Sequence, residues 1–354
     1  MSDTVLVTGG FGLVGSATVR KLAADGRRVV AADLDTPANR KAAAKLPDGA
    51  EYRWTDLTDP DQVKRLVAET APAAIIHLAA IIAPAIYRAR ALARRVNVDA
   101  TATLVQVAES QPSPPRFVHA SSNAVFGPRN PHKYSEPLTA ADPMNPCDIY
   151  SGTKAEAEEI VRSSSLDWVV LRFGGVLSTD LAALPLGGEA MLFESALPSD
   201  NRVQTVDVRD VAHACAAATT ADVVGEILLI TGDESHRHCY GDLTPAVVAA
   251  LGMPGAIPPG RPGNPDSDTD WFVTDWMDTT RAQEALQFQH YTWDDMMAEL
   301  RSRYWFARLP GPLLTPIVRE FMKRRSVYYK APGHYADPWG AIREHLGDPS
   351  WEHP

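Results

Sequence analysis

A run of aliphatic and β-branched residues, Thr4 to Thr8, gives way to four glycines within seven positions (Gly9, Gly10, Gly12, Gly15), and Ser16 to Leu22 then has helical composition. Strand, tight turn and helix N-terminus in that order make a pyrophosphate site, because the first helical N–H groups and the helix dipole both favour an anion. Gly9 or Gly10 lets the turn take dihedrals closed to other residues. Gly12 brings the backbone close to a phosphate with no Cβ between them, and Gly15 lets the helix lie close on the strand. The glycines read either as G-x-x-G-x-x-G or as G-x-G-x-x-G, and a glycine-rich loop is the plain alternative.

The next apolar run, Arg28 to Ala32, ends at Asp33, eighteen residues after Gly15. A carboxylate at the end of the second strand accepts from adenosine ribose hydroxyls and repels a 2′-phosphate, so Asp33 points to NAD over NADP. Capping of the strand end is its alternative role.

The chain has 354 residues, 45% of them hydrophobic and 22% charged, as in an ordinary soluble globular protein. A formal net charge of −10 disfavours nucleic acid as a partner. Cys147, Cys215 and Cys239 are scattered, which fits a reducing cytoplasm and carries no zinc spacing, so no metal is expected. The first strand leaves no room for a signal peptide, and no apolar run approaches the roughly 20 residues of a membrane span. The expectation is a soluble cytoplasmic protein.

Strands alternate with helices through the first half. Ala38 to Leu46 and Asp61 to Glu69 read as helices, and Ala50 to Thr55, Ala73 to Ala80 and Arg116 to Ser122 as strands; Ala85 to Ser110 reads as one helical stretch. This alternation predicts an α/β fold, a Rossmann-type doubly wound parallel sheet whose ligands lie beyond the C-terminal strand ends. Five prolines between Gly127 and Pro146 predict a long irregular loop. Beyond it, Tyr150 and Lys154 are four apart on a predicted helix and share a face. Of ten tyrosines, Tyr150 is the one with lysine four residues on. A lysine one turn away favours the phenolate, so Tyr150 could exchange a proton with a substrate hydroxyl while hydride passes between that carbon and a nicotinamide. Ser122, at a strand end, could donate to the developing oxyanion. In the alternative, Tyr150 is a surface residue and Lys154 lies on a charged helix face with Glu158.

Taken together, Thr8 to Gly15, Asp33, Asp56-Leu57, His77-Leu78-Ala79-Ala80, Asn97-Val98, Ser121 to Gly127 and Tyr150 to Lys154 resemble the extended short-chain dehydrogenase/reductase family, the group containing NAD-dependent sugar-nucleotide epimerases and dehydratases. The resemblance runs to about residue 303. It implies that Gly9, Gly12 and Gly15 bind the pyrophosphate and Asp33 the ribose, that Asp56 and Leu57 bracket the adenine, and that Ala79 and Ala80 line the cofactor channel. Phe11, Leu13, Val14, Leu78, Asn97 and Ala120 complete the cofactor contacts. The implied catalytic set is Ser122, Tyr150 and Lys154, with Lys154 also holding the nicotinamide ribose, and the implied assembly is a homodimer.

Departures from the family pattern narrow the substrate. Asn123 and Ala124 stand where dehydratases carry an Asp-Glu pair. Gly175 stands where sugar-nucleotide enzymes place an asparagine, Arg202 is a shifted stand-in for an expected arginine, and Asp207 replaces a histidine. A site short of Asn and Arg is ill suited to a diphosphate, and Ile81 to Ile86 is apolar. A small alcohol or carbonyl substrate without a nucleotide is therefore expected. A sugar-nucleotide epimerase with retained NAD and a non-catalytic NAD-binding protein are the alternatives.

Residues 1–173 are assigned to the cofactor domain, with 202–231 returning to it through a helix from Val208 and a strand to Thr231. Residues 174–201 and 232–303 form a substrate lobe. Within it, Met253 to Pro265 reads as a mobile cover or a linker, and His236 and His238 as solvated. Residues 304–354 are an extension, ordered by its aromatics (Tyr328, Tyr329, Tyr335, Trp339, Trp351). There Thr315 is expected to cap a helix begun by Pro316. Ile317, Val318, Phe321 and Met322 would pack on the core or a dimer mate, or, as a basic amphipathic helix, on a membrane surface.

Overall fold

A computed structural model describes residues 3–183 and 188–351. Residues 1–2, 184–187 and 352–354, at the edges or within the three regions expected from the sequence, lie outside the described residues. The strands are β1 (Val5–Thr8), β2 (Val29–Asp33), β3 (Ala50–Trp54), β4 (Ala74–His77), β5 (Arg116–Ser122), β6 (Trp168–Phe173), β7 (Gly175–Leu177), β8 (Arg202–Asp207), β9 (Ile227–Ile230) and β10 (Arg237–Cys239). The helices of the first half are α1 (Leu13–Ala24), α2 (Pro37–Ala43), α3 (Pro60–Thr70), α4 (Arg90–Arg94), α5 (Ala100–Glu109) and α6 (Ile149–Arg162). The second half adds α7 (Gly188–Ala196), α8 (Val208–Ala218), α9 (Tyr240–Ala250), α10 (Thr280–Leu286), α11 (Trp293–Arg303), α12 (Gly311–Arg325) and α13 (Pro338–His345).

Seven strands form one parallel sheet in the order β3-β2-β1-β4-β5-β6-β9. Alternation along β1 sends Val5 and Val7 to one face, where they meet Val19 and Leu22 of α1 and Val211 and Cys215 of α8. Leu6 points to the other, against Leu66 of α3 and Leu104 of α5. Both faces are covered, which is why these strands read as unbroken apolar runs. The expected doubly wound sheet is present.

A second, three-stranded sheet has the order β10-β8-β7, with β7 and β8 parallel and β10 and β8 antiparallel. Residues 202–207 thus belong to this small sheet, and the return to the large one begins with α8.

The predicted strand 73–80 ends at His77, whose ring bonds Thr8 Oγ1 and Thr101 Oγ1 at 2.7 and 2.9 Å. The predicted helix 85–110 is broken into a 3₁₀ turn, α4, a π turn over Arg95–Asp99, and α5. The π turn carries Asn97, whose amide pairs with both backbone groups of Ile81.

Three further expectations are corrected. His236 is buried, bonded to Thr205 Oγ1 and the Tyr291 carbonyl at 2.9 and 3.0 Å, and is not solvated. Helix α12 starts at Gly311, so Thr315 lies inside it and donates to the Gly311 carbonyl at 3.0 Å instead of capping. Ile317 and Phe321 on that helix are exposed, so they do not pack on the core. Residues 253–265 are tied down in part: Ser199 N donates to Arg261 O, and Gly263 N to Asp200 Oδ1.

Candidate active site

Gly9 has φ +65, a left-handed conformation that favours glycine, and a Cβ there would meet Ala79 N at 2.8 Å. Gly15 passes so close to the Gly9 carbonyl that no Cβ would fit between them. At Gly12 a Cβ would meet only the Gly9 carbonyl, at 3.4 Å, so the space in front of the turn is open. Gly12 is also the N-cap of α1 and supplies no side-chain cap, which leaves the first N–H groups of the helix for an anion. Asp33 closes the other side: its Oδ1 accepts from Leu34 N at 2.8 Å and its Oδ2 from Phe11 N at 3.1 Å. The open turn, uncapped helix and adjoining carboxylate fit a dinucleotide of the NAD type.

The other expected cofactor residues divide by their engagement. Asp56 Oδ1 accepts from Thr58 N and Oγ1, and Leu57 is buried in the core on the α3 side of the sheet. Leu78, Ala79 and Ala80 remain partly exposed just past β4. Phe11 packs its ring against Trp54, with centroids 5.4 Å apart, while Leu13 and Val14 open α1. Asn97 binds protein with both ends of its amide: besides Ile81 it donates to Thr153 Oγ1 at 3.2 Å. It therefore ties the segment after β4 to α6.

Helix α6 begins with Asp148, a buried N-cap that accepts from Ser151 N at 2.9 Å and from Tyr87 Oη at 3.0 Å. This fixes the first turn, which carries Tyr150. Ser122 ends β5, where its Oγ accepts from Ala124 N at 3.2 Å, and its hydroxyl is near enough to favour the charged form of the Tyr150 phenol. One turn further on, Lys154 is buried and donates from Nζ to the Ala120 carbonyl at 2.8 Å. The structure thus gathers Ser122, Tyr150, Lys154 and Ala120 where β5 meets α6.

The electrostatics correct one expectation. The Tyr150 pKa is raised, not lowered, although part of the ring stays accessible. Desolvation is the largest cause, opposed by the Ser122 hydroxyl and reinforced by the Asp148 carboxylate. Lys154 is turned toward Ala120, and burial brings its own pKa down to about 8, with Glu158 pulling the other way. His77 and His119 lie near it, and burial together with the Lys154 charge holds both neutral.

Sequence reasoning missed what lies behind α6. Glu158 is fully buried, takes a bidentate pair from Arg172 (Nε to Oε1 3.0 Å, Nη2 to Oε2 2.8 Å), and accepts from the Ser121 hydroxyl. The available signal was Arg172 within the apolar run of β6, since a buried guanidinium requires a carboxylate. The extension was expected to be ordered, but not its contact with α6: Pro349 O accepts from Ile149 N at 2.9 Å, and Trp351 stands against Gly152.

Tyr150 belongs to an apolar cluster built on Ile86, Tyr87, Leu197, Phe272 and Ile342, with Ile81, Phe193 and Trp339 packed on it. Arg202 is turned away into the loop after β5: it donates to the carbonyls of Pro131, Tyr134 and Ser135, reaches Asp275 at 3.7 Å, and stacks on Trp276.

The chain is similar to several known proteins. UDP-glucose 4-epimerase 4 of Oryza sativa is 32% identical over 212 residues, covering 52% of this chain and 54% of that protein. The dTDP-glucose 4,6-dehydratase of Neisseria gonorrhoeae is 33% identical over 173 residues, 45% and 49% of the two chains. The matches thus span about half the length of these curated relatives. In structure, UDP-glucose 4-epimerase of Thermus thermophilus, solved with NAD, superposes with a TM-score of 0.69 at 23% identity, over 85% of this chain and 99% of that one. A short-chain dehydrogenase/reductase superfamily protein of Agrobacterium tumefaciens with bound NAD gives 0.67 at 25% identity, over 88% and 99%. The sequence profile of the NAD dependent epimerase/dehydratase family matches residues 5–230, from β1 through β9. With the open glycine turn, Asp33 and the Ser122–Tyr150–Lys154 grouping all inside that span, the chain belongs to the NAD-dependent epimerase/dehydratase family.

Proposed function

We propose that the protein is an NAD-dependent oxidoreductase acting on a secondary alcohol, or the corresponding carbonyl, of a small substrate that carries no nucleotide. The engagement of Arg202 supports this reading most directly. Its guanidinium is enclosed by three carbonyls, a carboxylate and an indole, and so is withdrawn from a diphosphate. The apolar cluster around Tyr150 favours a substrate with a hydrocarbon skeleton. Asn123 and Ala124 supply no acid or base for dehydration.

Held by the Gly9–Gly15 turn and Asp33, NAD would supply a hydride acceptor or donor for the substrate carbon. Tyr150 Oη takes the hydroxyl proton in oxidation and returns it in reduction, at the end of the helix that Asp148 starts. Ser122 Oγ donates to the substrate oxygen as negative charge builds there. Lys154 anchors α6 to β5 through the Ala120 carbonyl and so holds the first turn that carries Tyr150. A homodimer and a cytoplasmic location, both implied by the family resemblance and composition, complete the reading.

The family's epimerase names support a second reading, oxidation and re-reduction of a sugar nucleotide on retained NAD. The deciding experiment incubates the protein with NAD and a panel of apolar secondary alcohols while UDP binding is titrated by calorimetry. Reduced nicotinamide without saturable UDP binding upholds the first reading. Saturable UDP binding without net reduction establishes the second.

A further inference from the structure

The segment 301–330 differs in charge and exposure from the rest of the molecule. It contains eight Lys or Arg and one acidic residue, a surplus of seven on a chain whose net charge is −10. The single acid, Glu320, is paired with Arg324 at 2.7 Å. Trp305, Leu309, Leu313, Ile317 and Phe321 recur at every fourth position and are 48–79% exposed. On α12, Leu313, Ile317 and Phe321 fall within an arc of about 80°. Val318 and Met322 beside them are only partly exposed, and Arg319 and Lys323 occupy the far side. A soluble monomer rarely leaves a contiguous apolar stripe of this kind uncovered.

Charge decides what covers it. An isologous contact with a second copy would bring the same cations face to face. An anionic bilayer surface complements them, while the acidic remainder of the chain is repelled and keeps this edge inward. No helix among the described residues is long and apolar enough to cross a membrane, so the contact is interfacial. We propose that residues 305–325 dock the protein on anionic phospholipid bilayers, the aromatic and aliphatic stripe entering the headgroup region and Arg319, Lys323, Arg324 and Arg325 meeting lipid phosphates. This rests on the extension alone and is independent of the reaction assigned to Tyr150.

The test is co-sedimentation of the full chain with vesicles of phosphatidylcholine alone and of phosphatidylcholine with 30% phosphatidylglycerol. Binding is expected to the anionic vesicles at 50 mM salt, to be lost at 500 mM, and to be absent from the zwitterionic ones. Arg319→Glu with Lys323→Glu is expected to lower the partition at least tenfold. Ile317→Asp with Phe321→Asp should abolish it with an unchanged melting temperature, since all four side chains lie on the surface. Failure to bind anionic vesicles at low salt overturns the proposal, as does equal binding to both vesicle types. A wild-type dimer that becomes monomeric in the Ile317→Asp, Phe321→Asp variant also overturns it, because a second copy then covers the stripe.

Discussion

The indole of Trp351 occupies the space where a Cβ on Gly152 would stand, two residues beyond Tyr150 on the same helix. Residues near the C-terminus thus brace the element that carries the proposed base, and the adjoining Pro349–Ile149 hydrogen bond closes the contact. Gly152→Ala forces Trp351 out, and a destabilisation of about 1–3 kcal/mol is expected. Trp351→Ala removes the brace and leaves room. Denaturant unfolding should show Trp351→Ala, Gly152→Ala to be no less stable than Trp351→Ala alone, the non-additivity of two sites in contact.

Replacing Tyr150 with Phe removes the proton acceptor and leaves the ring's packing. Turnover should fall by about 10²–10⁴ while NAD binding, followed by protein fluorescence, stays within a few-fold of the parent. Lys154→Met should also lower turnover, and it should release the Ala120 carbonyl, so a fall in melting temperature is expected to accompany it. Parent-like turnover of Tyr150→Phe would remove the residue from the mechanism.

Asp33 touches the glycine turn through Phe11 N, so its substitution tests cofactor choice and turn geometry together. Asp33→Asn keeps an acceptor for that N–H and removes the charge. NAD affinity is expected to weaken about tenfold and NADP affinity to rise, as titrations of the two nucleotides would report. Tighter NADP than NAD binding by the parent would contradict the assignment.

Glu158, one turn beyond Lys154 on α6, and Arg172 form a buried, bidentate pair. Glu158→Ala leaves Arg172 without its counter-charge, at a cost of about 3–5 kcal/mol. Arg172→Met with Glu158→Leu should recover much of that stability, since two apolar groups of similar volume replace the pair. Urea unfolding of the parent, of Glu158→Ala and of the double variant makes the comparison.

His77 and His119 are held neutral by burial, with folded-state pKa values below the ordinary 6.5, His77 at about 3. The unfolded chain takes up protons on these groups below pH 6.5 and the folded one does not, so stability falls as pH drops from 6.5. Each contributes about 1.4 kcal/mol per pH unit at most. His119 has no hydrogen-bond partner on either ring nitrogen among the described residues. His119→Leu should therefore fold and show a shallower decline, worth about 2 kcal/mol at pH 5. A slope unchanged by the substitution would mean that His119 is protonated in the folded state.

Local patterns made the sheet, the turn and the pairing of Tyr150 with Lys154 legible, because each depends on short-range spacing: glycines three apart, an acid after the second strand, Tyr150 and Lys154 one turn apart. What stayed hidden depends on pairs distant in the chain. Glu158 reads as one more charge on a helix until Arg172 is seen opposite it, and nothing near Gly152 announces Trp351. Thr315-Pro316 has the form of a helix cap, whereas α12 already runs from Gly311 with Pro316 inside it, so its true start leaves no local signal. The direction of the Tyr150 shift depends on enclosure and on where Lys154 points, neither of which spacing specifies.

Helix α6 is held from three directions, by Asn97 through Thr153, by Arg172 through Glu158 and by Trp351 at Gly152. A lever fixed at three points cannot tilt to suit its load. New substrates would have to be accommodated by the surrounding walls, in the segments around Ile81, Phe193 and Trp339. In the proposed reaction those segments would adapt to the substrate while the position of Tyr150 stays fixed.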